Sequence, residues 1–300
     1  MKTTFRLPAL ALAVTFAAAT PIAAFAQAAP APAAAPAAAS APPATAAAPA
    51  ASLVVSVSAS TQPRHYTKIT ERAVLDDWLR KLTAAPLASF DTETDSLDYM
   101  RARIVGLSFA VTPGEAAYVP LGHDYAGAPE QLNLEEVLSA CKPWLEDATK
   151  PKLGHHLKYD THVLANYKIA IAGQRYDSML ESYVLNSVAN RHDMDSAAER
   201  YLGLKTISYE EVAGKGAKQI GFNQVDVDRA TEYAAEDADV TLQLHRALWP
   251  QIAALPKLAA LYETIEQPLV PVLYRMERTG VLVDRELLRV QSGQLSQRML

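Results

Sequence analysis

The chain has a single cysteine, Cys141, so no disulfide can form within it, and cysteine usage leaves its redox compartment open. It has no excess of basic residues: 28 Lys and Arg stand against 33 Asp and Glu, a formal net charge of −5. Phosphate-rich partners are normally met by Lys and Arg, so this balance argues against a plain basic nucleic-acid binder. Long hydrophobic runs are lacking too. The apolar stretch near the N-terminus is broken at Thr20 and Pro21, short of the ~20 residues a spanning helix needs. No membrane partner is expected, and no internal repeat is visible.

What is there begins with an N-terminal segment unlike the rest. Residues 1–26 carry the three parts of a secretory signal: basic Lys2 and Arg6, apolar residues 9–19, and Ala24-Phe25-Ala26 as a small-x-small cleavage site before Gln27. Residues 27–63 form an Ala/Pro-rich linker, poor in the large apolar groups that offset ordering entropy. Residues 64–255 have mixed charge and aliphatic runs, and ~190 residues suffice for one α/β domain with a substantial core. Residues 256–300 make a further segment.

Periodicity predicts strands over 66–70, 87–92, 104–111, 116–121 and 152–155. Helices are expected over 71–84, 134–145, 179–186, 196–202 and 226–248, with another carrying Asp160. Three strands, a helix, a strand and then helices suit an α/β fold with a mixed sheet flanked by helices, the ribonuclease H-like architecture.

Acidic residues recur in a fixed order: Asp91-Thr92-Glu93, then Asp160, then Tyr233 and Asp237. Asp91 and Glu93, two apart on a strand, point to one face, and Tyr233 and Asp237, four apart on a helix, share another. Hard cations such as Mg²⁺ take oxygen ligands and keep several waters, so a few carboxylates can hold two of them. Such a pair stabilises both the attacking and leaving oxygens of an in-line displacement. The pattern therefore points to phosphodiester cleavage. Bound cations reverse the local sign of charge, and Lys158, Arg191, Lys205, Lys215 and Lys218 supply a basic rim. The net charge then ceases to be an objection.

Residues 90–97 (Phe-Asp-Thr-Glu-Thr-Asp-Ser-Leu), 157–160 (Leu-Lys-Tyr-Asp) and 233–239 (Tyr-Ala-Ala-Glu-Asp-Ala-Asp) closely resemble the three exonuclease motifs of bacterial DNA polymerase I, the family A polymerases. Residues 179–188 and 191–196 resemble the stretches between them. The resemblance is to the 3′→5′ proofreading exonuclease domain, of the DEDD class with Tyr in the third motif. It implies two divalent ions, Mg²⁺ with Mn²⁺ or Zn²⁺ as alternatives. Asp91, Glu93 and Asp237 would hold the first, Asp91 would bridge to the second, and Asp160 would bind that one partly through water. Tyr233 would orient the attacking water. Leu97 and Tyr209 match positions that pack on terminal bases, and either could instead be core. Tyr159, His156 and Arg191 complete the implied nucleic-acid contacts. The family commonly has Asn where His156 stands, after His155. Adjacent strand residues point apart, so the two are not expected to share an ion.

Residues 266–280 resemble the passage into the polymerase thumb. The resemblance implies a chain with neither palm nor fingers nor 5′ nuclease, one that degrades single-stranded or frayed 3′ ends of DNA to 5′-mononucleotides as a monomer. Two other readings stay open, a catalytically silent DNA-binding module and an exported scavenging nuclease. RNA is a further possible substrate. The expected compartment is the cytoplasm, or the periplasm if the N-terminal signal is genuine.

Overall fold

The computed structural model describes residues 63–299. The signal-like residues 1–26 and nearly all of the Ala/Pro segment lie outside that range. Six strands form one mixed sheet: β1 (His65–Lys68), β2 (Ala88–Thr94), β3 (Ile104–Thr112), β4 (Glu115–Pro120), β5 (Lys152–Gly154) and β6 (Gln174–Asp177), in spatial order β1-β4-β3-β2-β5-β6. β2, β3 and β4 pair antiparallel, whereas β1 joins β4, β5 joins β2 and β6 joins β5 in parallel. β2, the first acidic strand, is thus central.

Ten α-helices occur among the described residues. On one face of the sheet pack α1 (Arg72–Ala84), α2 (Leu134–Leu145) and α3 (Lys158–Asn166), whose Leu75, Trp78, Leu82, Val137, Trp144 and Leu164 meet Phe90 and Phe109. Asn133 starts α2 by accepting the Glu136 N–H, satisfying one of the donors a helix start leaves free. On the other face lies α7 (Val227–Ala253), 27 residues long. Its small Ala235 and Ala238 sit against Ala110, Ala116 and Leu153, so it lies close on the strands. Asp226 caps it by accepting from Asp228 and Arg229. Around α7 stand α4 (Ser178–Leu185), α5 (Met194–Leu202) and α6 (Tyr209–Ala213), followed at the C-terminal end by α8 (Pro256–Leu261), a π turn, α9 (Gln267–Thr279) and α10 (Arg285–Met299).

Three departures from the sequence reading affect the site. β2 runs to Thr94, with a register irregularity at Glu93 and Thr94. β5 ends at Gly154, so His155 and His156 fall in a turn, and His156 adopts a left-handed φ of 65°. Strand alternation therefore does not govern where the two histidines point. β6 was not expected, because Gln-Arg-Tyr-Asp has no apolar alternation; it forms by pairing with the edge of β5. No helix among the described residues is long and apolar enough to cross a membrane.

Candidate active site

Asp91 and Glu93 project from β2 toward α7, and Asp237 projects from α7 to meet them. One carboxylate oxygen from each of the three lies within 4.8 Å of the others. Asp160, in the first turn of α3, arrives from the other side of the sheet and is fixed by Thr92, whose N–H (2.9 Å) and hydroxyl (2.5 Å) both donate to its Oδ1. A carboxyl–carboxyl hydrogen bond links Asp160 to Asp91. All four acids of the sequence motifs thus converge.

Without cations this arrangement is electrostatically strained. Burial, offset in part by hydrogen bonds from the Thr92 N–H and Asp160, pushes the Asp91 carboxyl up to about 6. Burial and then the neighbouring carboxylates, Asp91 first among them, hold Glu93, Asp160 and Asp237 well above the usual range. Like charges this close and this buried oppose one another's ionisation. No Lys or Arg among the described residues pairs with any of the four, and Glu93 Oε1 is buried with no hydrogen-bond partner. An all-oxygen donor set, an orphaned carboxylate oxygen and no counter-ion from the protein fit hard divalent cations.

Tyr233, one turn before Asp237, donates its hydroxyl to that carboxylate. Its ring packs on Phe222 (5.8 Å between centroids) and Tyr209 (6.3 Å). A cavity of about 510 Å³ opens here, lined by Glu93, Leu97, Tyr159, Tyr209, Ile220 and Tyr233 among others. Leu97 is 92% exposed, which removes core packing as its role. Tyr209 stands half-exposed on the cavity wall, stacked on Phe222 at 6.3 Å. Tyr159 is held by Thr94 Oγ1 and the Ser96 carbonyl.

Other expected residues lie elsewhere. His156 contributes its backbone N–H to Asp177 at 3.0 Å and does not line the cavity. Arg191, on a surface loop, is paired with Asp193 at 2.7 Å and does not line it either. The basic rim is largely neutralised: Lys158 pairs with Glu277, Lys205 with Glu211 and Lys215 with Glu210. Sequence reasoning missed Thr92, which was legible as the middle residue of the first motif. It also missed Gln219, Ile220 and Gly221, which reach the cavity on an irregular loop and carry no periodic signal. Asp177 is another such residue, accepting from His156, Leu157, Met179 and Leu180 and so tying the turn before α3 to the start of α4.

The family model described as 3′-5′ exonuclease matches residues 66–253. The chain is 56% identical over 237 residues to a DNA polymerase I of Pseudomonas aeruginosa, an alignment covering 78% of this chain and 26% of that protein. With a DNA polymerase I of Rhizobium leguminosarum it shares 43% over 249 residues, 77% of this chain and 24% of the other. The chain therefore spans about a quarter of the length of these curated relatives. Among solved structures, the POL domain of Pol1 from M. smegmatis, in complex with DNA primer-template and dNTP, superposes with a TM-score of 0.61 at 20% identity. That match covers 77% of this chain and 35% of the other, and it concerns the fold alone.

Proposed function

The chain belongs to the 3′-5′ exonuclease family found in DNA polymerase I, and from that membership we propose that it removes nucleotides from single-stranded or frayed 3′ ends of DNA, as the proofreading part of a polymerase, with Asp91, Glu93, Asp160 and Asp237 as ligands of two divalent ions. The convergence of three carboxylates within 4.8 Å beside an open cavity carries this reading. Two bound ions would activate a water and stabilise the leaving 3′-oxygen of an in-line displacement.

The chain's own residues hold and orient. Asp91, central in the cluster, is the proposed shared ligand, and Thr92 fixes Asp160 from behind through two hydrogen bonds. The Tyr233 hydroxyl, anchored on Asp237, is proposed to orient the attacking water. Leu97 and Tyr209 offer an apolar edge and a ring face to the terminal bases, and stacking of this kind tolerates any base. An unpaired end suits the cavity because unpairing and unstacking a duplex end costs a few kcal/mol.

The test is an assay on 5′-labelled single-stranded DNA with Mg²⁺ and then with chelator. A ladder shortening from the 3′ end, stopped by chelator, is expected. Internal cuts, or cleavage indifferent to chelator, would overturn the reading. RNA of the same sequence is expected to be cut more slowly. The chain is further proposed to act as a monomer in the cytoplasm, where its substrate lies. A periplasmic protein beginning at Gln27 would instead favour an exported nuclease.

A further inference from the structure

α3 presents two residues to the site: Asp160 and, beside it, Tyr159 on the cavity wall. It is only nine residues long, its N-cap Leu157 has no polar side chain to cap it, and its entry turn is held through the Leu157 N–H by Asp177. A helix that short has little stability of its own, so its pose depends on what packs against it. Lys158 and His162, four apart, share one face of α3, while Asp160 lies roughly 200° round the helix from Lys158. That face is covered by α9. Glu277 of α9 accepts from Lys158 Nζ at 2.5 Å through one oxygen and from His162 Nε2 at 2.7 Å through the other.

The next residue, Arg278, donates to the His162 carbonyl and to Asn166 Oδ1, the latter at 3.0 Å. A cation at the last turn of a helix also complements its dipole. The His162 ring, fully buried, lies between Tyr99 (4.2 Å between centroids) and Tyr274 of α9 (4.7 Å). Its Nδ1 is buried without a partner, so Glu277 is the one hydrogen-bond anchor of the ring. α9 thus grips α3 near both ends, and α3 carries that grip across to the cluster.

We propose that Glu277 is a positioning residue of the exonuclease site, setting the pose of α3 and through it the placement of Asp160 and Tyr159. This rests on the reading of the carboxylates as metal ligands. It makes nuclease activity dependent on how the C-terminal helix α9 is seated, so that displacing α9 is felt at the site through Lys158 and His162.

The experiment compares the full chain with Glu277→Ala and the shape-preserving Glu277→Gln on a single-stranded oligonucleotide. It measures kcat, KM, and the Mg²⁺ concentration giving half-maximal rate, well below the melting temperature of each. Residues that orient ligands from behind typically matter about 10–100-fold. Glu277→Ala should therefore lower kcat roughly tenfold and raise the Mg²⁺ midpoint several-fold, with Glu277→Gln between it and the parent. A merely structural contact would lower the melting temperature and leave kcat and the Mg²⁺ midpoint alone. Folded variants with both quantities unchanged overturn the proposal, and if the Ala variant does not fold, the Gln variant decides. If the parent itself cuts nothing with Mg²⁺, the site assignment fails and this inference falls with it.

Discussion

Among the described residues Asp91 shares its pocket with three other acids and with no basic side chain, so its value to the fold and its value to the proposed chemistry have opposite signs. Removing it relieves repulsion but deletes a proposed ligand of both ions. Asp91→Ala should therefore fold at least as stably as the parent without metal, while cleavage falls on the order of a thousandfold or more. Melting curves in chelator and single-turnover rates in Mg²⁺ check the two halves, and near-parental turnover would remove Asp91 from the site. Tyr233→Phe is a milder change. The ring contacts with Phe222 and Tyr209 persist, and only the hydroxyl bonded to Asp237 is lost. The rate should drop roughly ten- to a thousandfold, the scale of a positioned proton-handling group, with DNA binding retained. An unchanged rate at saturating DNA would make Tyr233 a packing residue. The pairing of Asp91 with Glu93 and of Tyr233 with Asp237 was legible from strand and helix periods, whereas the meeting of these pairs with Asp160 was implied by the order of the motifs and the family resemblance. His156 and Arg191 were not, since their positions depend on a left-handed turn and a surface ion pair.

At the scale of elements, the long periodic segments were readable and the short ones were not. α7 and the strands β2 to β4 stand near their expected limits because short, nearly continuous apolar runs mark strands buried on both faces and fourfold spacing marks the helix. β6 and α6, of four and five residues, owe their existence to neighbours. α7 passes beyond the expected end at 248 and holds Pro250 within its last turn. The β3 position opposite Glu93 is Gly106, and a Cβ there would lie 2.1 Å from the Tyr118 hydroxyl oxygen. Tyr118 is fully buried and bonded to His123 Nε2 at 2.8 Å, so it cannot swing aside freely. Gly106→Ala should destabilise the fold by about 1–3 kcal/mol, the usual cost of overpacking. It should also lower activity, because the strand next to Glu93 must move. Denaturant titration and an exonuclease assay together test this; an unshifted midpoint would show that the Tyr118 ring relocates without cost.

For the whole molecule, a net charge of −5 hides a concentrated negative centre whose titration governs stability. Asp91 has its carboxyl raised from 3.8 to about 6, and Glu93, Asp160 and Asp237 are raised as well, burial being the first cause in each. As pH climbs from about 4, the unfolded chain releases these protons first and the folded chain still holds them. The folded state therefore binds more protons in this window, and stability contributed by these groups falls as pH rises through 6. Acids lowered by hydrogen bonds, such as Glu277 and Asp193, act the other way, losing their contribution as pH falls through their own lowered values. Divalent ions need the deprotonated ligands, so their stabilisation grows over the range in which the metal-free protein weakens. Saturating a site a hundredfold above its Kd adds about 2.7 kcal/mol, which for a domain of this size is roughly 5–10 °C. The melting temperature gained on adding Mg²⁺ should accordingly be small near pH 5 and several degrees larger at pH 8, and Asp91→Ala should flatten that rise. A Mg²⁺ increment equal at both pH values in the parent would mean that the four acids do not titrate with ion binding, and would place the ions away from Asp91.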